Sequence, residues 1–210
     1  AGQVCCASKR VLVQKSIAEE YTNRLINALK LLKVCEPHEK ECDMGPLVSE
    51  QAACEVENKV NQTIKQGARC VFGGKRYNKT YFEPTVLKDV TADMDIAKDM
   101  EIFGPVVPII EVEENDEAIK IANQTKYGLS GGVIGRDIKA ALSTALKLES
   151  GTTVVNGCGD YRTLYTPFGG HKMSGIGTEG LMLTLEEMML TKCVALKGIV
   201  EESVSESVLR

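Results

Sequence analysis

Apolar positions along this chain follow two periods in turn, and the alternation predicts a layered α/β fold. Arg10-Val11-Leu12-Val13 is a short extended run. Directly behind it Ile17, Tyr21, Leu25, Leu29 and Leu32 recur at helical spacing, with Ser16 placed to cap the helix. A second helix is predicted from Ser49 as cap, through Ala52, Val56, Val60 and Ile64, to a stop at Gly67. Cys70-Val71-Phe72 reads as a strand closed by Gly73-Gly74, and Val106 to Val112 is the strongest apolar run. Asn115 or Asp116 then starts a helix through Ile119 and Ala122, and Ser130 to Ile134 is again extended.

Asp137 predicts a further helix with Ala141, Ala145 and Leu148 on one face and Gly151 behind it, followed by the β-branched run Thr152-Thr153-Val154-Val155. Repeated strand-helix alternation implies an α/β domain with a largely parallel sheet flanked by helices. No internal repeat is visible. The segment from Gly198 to Arg210 lacks periodicity and is expected to be a flexible tail.

The composition narrows the function. In 210 residues the net charge is only -4, with Lys and Arg spread among Asp and Glu, so nothing forms the basic stripe of a nucleic-acid binder or the polybasic cluster of a membrane binder. No apolar run approaches the length of a membrane span, and the first residues lack the layout of a signal peptide. The eight cysteines are scattered rather than regularly spaced, which implies reduced thiols and a cytoplasmic setting. Cys35 and Cys42 flank His38, but no pairing has zinc-ligand spacing, so no metal site is expected.

Three motifs carry the chemistry. Gly2-Gln3-Val4-Cys5 stands at one end, Glu101-Ile102-Phe103-Gly104-Pro105-Val106 precedes the strongest strand, and Pro167-Phe168-Gly169-Gly170-His171-Lys172-Met173-Ser174-Gly175-Ile176-Gly177 lies near the other end. Gly45-Pro46-Leu47, Tyr81-Phe82-Glu83-Pro84-Thr85, Tyr127-Gly128-Leu129-Ser130 and Val155-Asn156 fall between them in order. Together these resemble the aldehyde dehydrogenase superfamily, over nearly the whole chain to about Lys197. The resemblance implies an enzyme using NAD or NADP to oxidise a small aldehyde, and a homo-oligomer. Residues 1 to 190 would form the catalytic domain and 191 to 197 a strand pairing across subunits.

The resemblance makes Cys5 the nucleophile. A thiolate forms a thiohemiacetal with an aldehyde and then, after hydride loss, a thioester. Cys6 is expected to be a packing residue. The matching acid at Glu101 would bond the nicotinamide ribose hydroxyls, and Phe103 would meet the nicotinamide ring. Phe168 resembles the aromatic residue lining the substrate funnel. Arg162 lies in the loop Asp160 to Thr166, which in the family walls the aldehyde's tail. A planar, permanently charged guanidinium there suits a carboxylate, so the expected substrate is an ω-carboxylated semialdehyde, with Tyr161 and Tyr165 as lesser wall residues. The alternative for Arg162 is a surface or interface ion pair.

The family places its Gly-rich dinucleotide segment, oxyanion-hole Asn, phosphate-binding Lys and general-base Glu before the nucleophile. None of these has a counterpart in residues 1 to 210, which implies a catalytic half without its cofactor-binding domain, inactive alone. A non-catalytic interaction module derived from the enzyme is the alternative. A thiol hydrolase or acyltransferase would need a His partner, and His38 and His171 sit in no recognisable motif.

Overall fold

The computed structural model describes residues 1–198. Strand β1 (Val11–Gln14) runs without a loop into helix α1 (Lys15–Leu29). Ser16 therefore lies inside the first turn, Gln14 takes the cap position, and no side chain caps the helix, contrary to the expectation for Ser16. The buried positions of α1 are Ala18 and Thr22, while Ile17 is 52% exposed. The sequence period was right and the buried face is set by the small residues, which let the helix lie close on the sheet.

Helix α2 (Glu50–Lys65) begins as predicted: the Ser49 hydroxyl accepts the Ala52 amide at 3.1 Å. Its buried face is Ala53, Val56, Val60 and Thr63, and the Thr63 hydroxyl is satisfied by the Lys59 carbonyl at 2.8 Å. Strands β2 (Arg69–Phe72), β3 (Arg76–Tyr77), β4 (Tyr81–Phe82) and β5 (Thr85–Lys88) follow, and then β6 (Val106–Val112). The main sheet has the order β1-β6-β5-β2, with β1-β6 and β6-β5 parallel and β5-β2 antiparallel, so it is partly parallel. Every residue of β5 is buried, which removes the alternation by which a half-exposed strand is recognised.

Helix α3 (Asn115–Asn123) starts at the first of its two predicted positions. Beyond it come β7 (Tyr127–Gly128), β8 (Ser130–Val133), α4 (Ile138–Ala145) and β9 (Thr152–Val155). Strands β8 and β9 are parallel and joined through α4, whose first amides are held by the Asp137 carboxylate. The short strands β10 (Phe168–Gly169), β11 (His171–Lys172) and β12 (Thr178–Glu179) precede α5 (Leu181–Met188). Strand β11 pairs with β7 and ties this last segment back to the body.

The core lies on both faces of the main sheet. One side is built from α2 and the β4 to β6 region around Val56, Phe82, Leu87, Ile96 and Ile110; the other packs α1 against Val13, Val86 and Ile109. Lys88 is the exception inside β5: its side chain is only 10% exposed and its ammonium meets Glu19 at 2.8 Å and Glu111 at 3.5 Å. Residues 191–197 are exposed and pair with no strand among the described residues. Apart from Gly198, the tail expected over 198–210 lies outside the described residues.

Candidate active site

The segment bearing Cys5 is held on the sheet from both sides. On one side Gly2 has φ +71°, and a Cβ there would stand 2.5 Å from the Gly104 carbonyl oxygen; only glycine allows this approach. On the other side the Arg10 guanidinium is half-buried and donates to the carbonyls of Ala97 at 2.8 Å, Ile121 at 3.1 Å and Ala122 at 3.2 Å. Burial pushes the Arg10 pKa down, with Asp99 opposing the shift. Between the anchors the chain turns, the Ala7 amide donating to Val4 at 3.2 Å, and Gln3 accepts the Val48 amide through its side chain at 3.1 Å. Cys5 is exposed at this turn and Cys6 is half-buried.

Glu101 and Phe103 occupy the irregular stretch before β6, as expected from the sequence. Phe103 has φ +59°, an uncommon conformation for a bulky side chain and a sign of strain held by its surroundings. Those surroundings are identifiable. Lys59 of α2 donates to the Glu101 carbonyl at 2.8 Å, and a Cβ on Gly104 would lie 2.6 Å from the Val56 side chain. The turn is thus clamped between α2 and the Cys5 segment.

Lys9 completes the link. Its ammonium bonds the Val4 carbonyl at 3.1 Å, pairs with Glu101 Oε1 at 2.9 Å and stands 4.6 Å from the centre of the Phe103 ring. Sequence motifs alone did not single out Lys9 or Arg10; a cation four or five residues after the nucleophile has no motif signal, and its role appears only when the turn closes. Glu101 Oε2 has no partner among the described residues. A cleft of about 230 Å³ opens beside this cluster, lined among others by Gly2, Lys9, Leu29, Met44, Ile102 and Phe103. Cys5 is not among its lining residues.

Arg162 and Phe168 form a second pair. The guanidinium carbon stands 4.0 Å from the Phe168 ring centre, a stacked cation–π contact. Among the described residues Arg162 makes no ion pair. Phe168 is fixed by β10, which pairs with β12 and packs so tightly that a Cβ on Gly151 would fall 1.7 Å from the Gly169 oxygen. Tyr161 and Tyr165 are exposed. No hydrogen bond or ion pair among the described residues joins the Arg162–Phe168 pair to Cys5 or Glu101. His38 and His171 are exposed, and the described residues hold no cluster of metal-ligating side chains.

The Cys5 segment and the Glu101–Phe103 turn are thus joined through Lys9 and through the close approach of Gly2 to Gly104. The aldehyde dehydrogenase family model matches residues 1–194. The chain belongs to the aldehyde dehydrogenase family. It is 39% identical over 199 residues to a lactaldehyde dehydrogenase of Methanococcus maripaludis, which covers 95% of this chain and 42% of the relative. Among solved structures, the glyceraldehyde-3-phosphate dehydrogenase GapN of Methanocaldococcus jannaschii, complexed with NADP, superposes with a TM-score of 0.85 at 41% identity, over 90% of this chain and 40% of that one. A betaine aldehyde dehydrogenase P-to-M point mutant of Staphylococcus aureus, in complex with NAD+ and with a β-mercaptoethanol-modified cysteine, gives a TM-score of 0.85 at 37% identity, over 91% of this chain and 39% of that one. This aldehyde dehydrogenase chain therefore spans about two fifths of the length of the relatives it matches.

Proposed function

We propose that this chain supplies the catalytic cysteine and part of the nicotinamide contact of an NAD- or NADP-dependent aldehyde dehydrogenase. The observation carrying this reading is the closure of the Cys5 turn onto the Glu101–Phe103 turn through Gly2, Gly104 and Lys9. In it, Cys5 Sγ as thiolate adds to the aldehyde carbon and gives a tetrahedral thiohemiacetal. NAD or NADP, held by Glu101 and Phe103, would supply the hydride acceptor, so that Cys5 would carry the thioester after oxidation. Water then releases the acid and restores the thiol.

The residues present suit the cofactor. Glu101 is half-exposed and keeps one carboxylate oxygen without a protein partner, as needed to accept ribose hydroxyls, and a charged acceptor makes the stronger bond. Phe103 is presented beside it by its fixed backbone. NADP is named with the GapN structure and NAD+ with the betaine aldehyde dehydrogenase, so both remain within the reading.

For the substrate, Arg162 stacked on Phe168 offers a cation with no ion pair among the described residues, on an aromatic wall suited to an aldehyde with an anionic tail such as a semialdehyde. Residues 1 to 190 form the catalytic unit in this reading, and residues 191 to 197, exposed and unpaired among the described residues, pair with a second subunit. The test is the rate of nicotinamide reduction by protein carrying this chain. Cys5→Ser is expected to lower turnover by on the order of 10³-fold or more, and Cys6→Ser to leave it within a few-fold. Equal losses in both variants would remove Cys5 from the nucleophile role.

A further inference from the structure

We propose that Cys35 and Cys42 form a dithiol that closes to a disulfide, a modification site separate from the Cys5 turn. Both belong to the loop between α1 and α2, and the loop is folded so that its two ends meet. Val34 pairs with Met44 in an isolated bridge, the Cys35 amide donates to the Met44 carbonyl at 3.1 Å, and the Asp43 and Met44 amides both donate to the Lys33 carbonyl, at 3.0 and 3.2 Å. The Lys33 amide also donates to the Asp43 carboxylate at 2.8 Å.

This closure lays Cys42 against Cys35: Cys42 Sγ donates to the Cys35 carbonyl at 3.0 Å and to the Met44 carbonyl at 3.5 Å, while Cys35 Sγ stands 3.6 Å from the Lys33 carbonyl. The neighbouring Cys42 side chain, more than burial, pushes the Cys35 thiol up to about 11, so near neutral pH Cys35 is protonated and kinetically quiet. Both residues are half-buried rather than sealed in the core, so a small oxidant reaches them. The remaining cysteines offer no comparable arrangement except the adjacent Cys5 and Cys6, whose neighbouring backbone positions hinder an internal bond. Met44, at the root of the closed loop, lines the cleft beside Gly2, so the site adjoins the wall of that cleft.

The oxidant is a small disulfide such as oxidised glutathione. One thiolate attacks it, forming a mixed disulfide and releasing one glutathione thiolate. The second protein thiol, deprotonated, attacks the protein sulfur of that adduct, forming the Cys35–Cys42 bond and releasing the second glutathione. The protein loses two electrons and two protons, and the oxidant is reduced to two thiols.

The experiment treats the intact chain with oxidised glutathione, blocks free thiols and maps tryptic peptides. Cleavage after Lys40 separates the two residues into peptides 34–40 and 41–59, and fragmentation distinguishes Cys42 from Cys54. The expected result is a cross-linked pair of these peptides joined at Cys35 and Cys42, reversed by dithiothreitol and formed faster as the pH is raised, because the thiolate is the attacking species. Cys42→Ser should leave a stable glutathione adduct on Cys35 in place of the cross-link. Separate adducts on Cys35 and Cys42 without a cross-link, or a cross-link running through Cys54, would overturn the proposal.

Discussion

Lys9 ties the Cys5 turn to the Glu101 carboxylate: one ammonium holds the Val4 carbonyl at 3.1 Å and Glu101 Oε1 at 2.9 Å. The pair is partly exposed, 27% at Lys9 and 49% at Glu101, so its contribution to stability is small and its effect is on position. Lys9→Met is expected to cost less than about 1 kcal/mol of unfolding free energy in urea. The same variant should raise the KM for NAD or NADP more than it lowers kcat, because it frees Glu101 and Phe103 to move. A large stability loss with an unchanged KM would show that Lys9 only supports the fold.

Gly2 and Gly104 act as one packing device. Gly2→Ala places a methyl 2.5 Å from the Gly104 oxygen at a backbone angle that disfavours alanine, and Gly104→Ala drives one into Val56. Each is expected to destabilise by roughly 1 to 3 kcal/mol and to move the Cys5 turn away from Glu101. Thermal melts check the first effect. A Gly2→Ala variant as stable and as active as the parent would contradict the close approach.

Lys88 and Glu19 link stability to acid. The hydrogen bond and charge of Lys88 hold Glu19 below its ordinary value of 4.5, so the folded state binds fewer protons there than the unfolded chain. That contribution is present above about pH 4.5 and is lost as pH falls through the lower folded value. Urea midpoints from neutral pH into the acid range should decline less steeply for Glu19→Gln than for the parent. Identical slopes would remove this pair from the acid response.

Arg162 determines the charge preference of the substrate wall in the proposed reading. Arg162→Gln should raise KM for semialdehydes by roughly tenfold or more and leave KM for uncharged aldehydes within a few-fold. An equal change for both would assign the residue to packing on Phe168 alone.

Much of the fold was legible because its signals are local. Ser49 and Asp137 cap their helices as their side chains predict, Gly67 and Gly73 stop elements with positive φ, and the β8-α4-β9 unit follows the change of period. Strand β5 was hidden since both its faces are buried, and Ser16 misled because β1 meets α1 without a loop. At the site, the motifs placed Cys5, Glu101 and Phe103 in sequence, but not the contacts that join the Cys5 segment to the Glu101–Phe103 turn. Those depend on Lys9, Arg10 and Val56, whose roles arise from partners distant along the chain.

The most direct test of Cys5 as nucleophile uses p-nitrophenyl acetate, an activated ester that acylates a reactive thiol without any cofactor. The chain is mixed with the ester, quenched and mapped peptide by peptide, with Cys5, Cys158 and Cys193 compared because all three are exposed. The hydrogen bond to Asp160 raises the Cys158 pKa and should slow that thiol. The account predicts that the acetyl group appears first on Cys5 and that Cys5→Ser abolishes this fast phase. Acetylation spread evenly over the three exposed thiols, or fastest at Cys193, would contradict it.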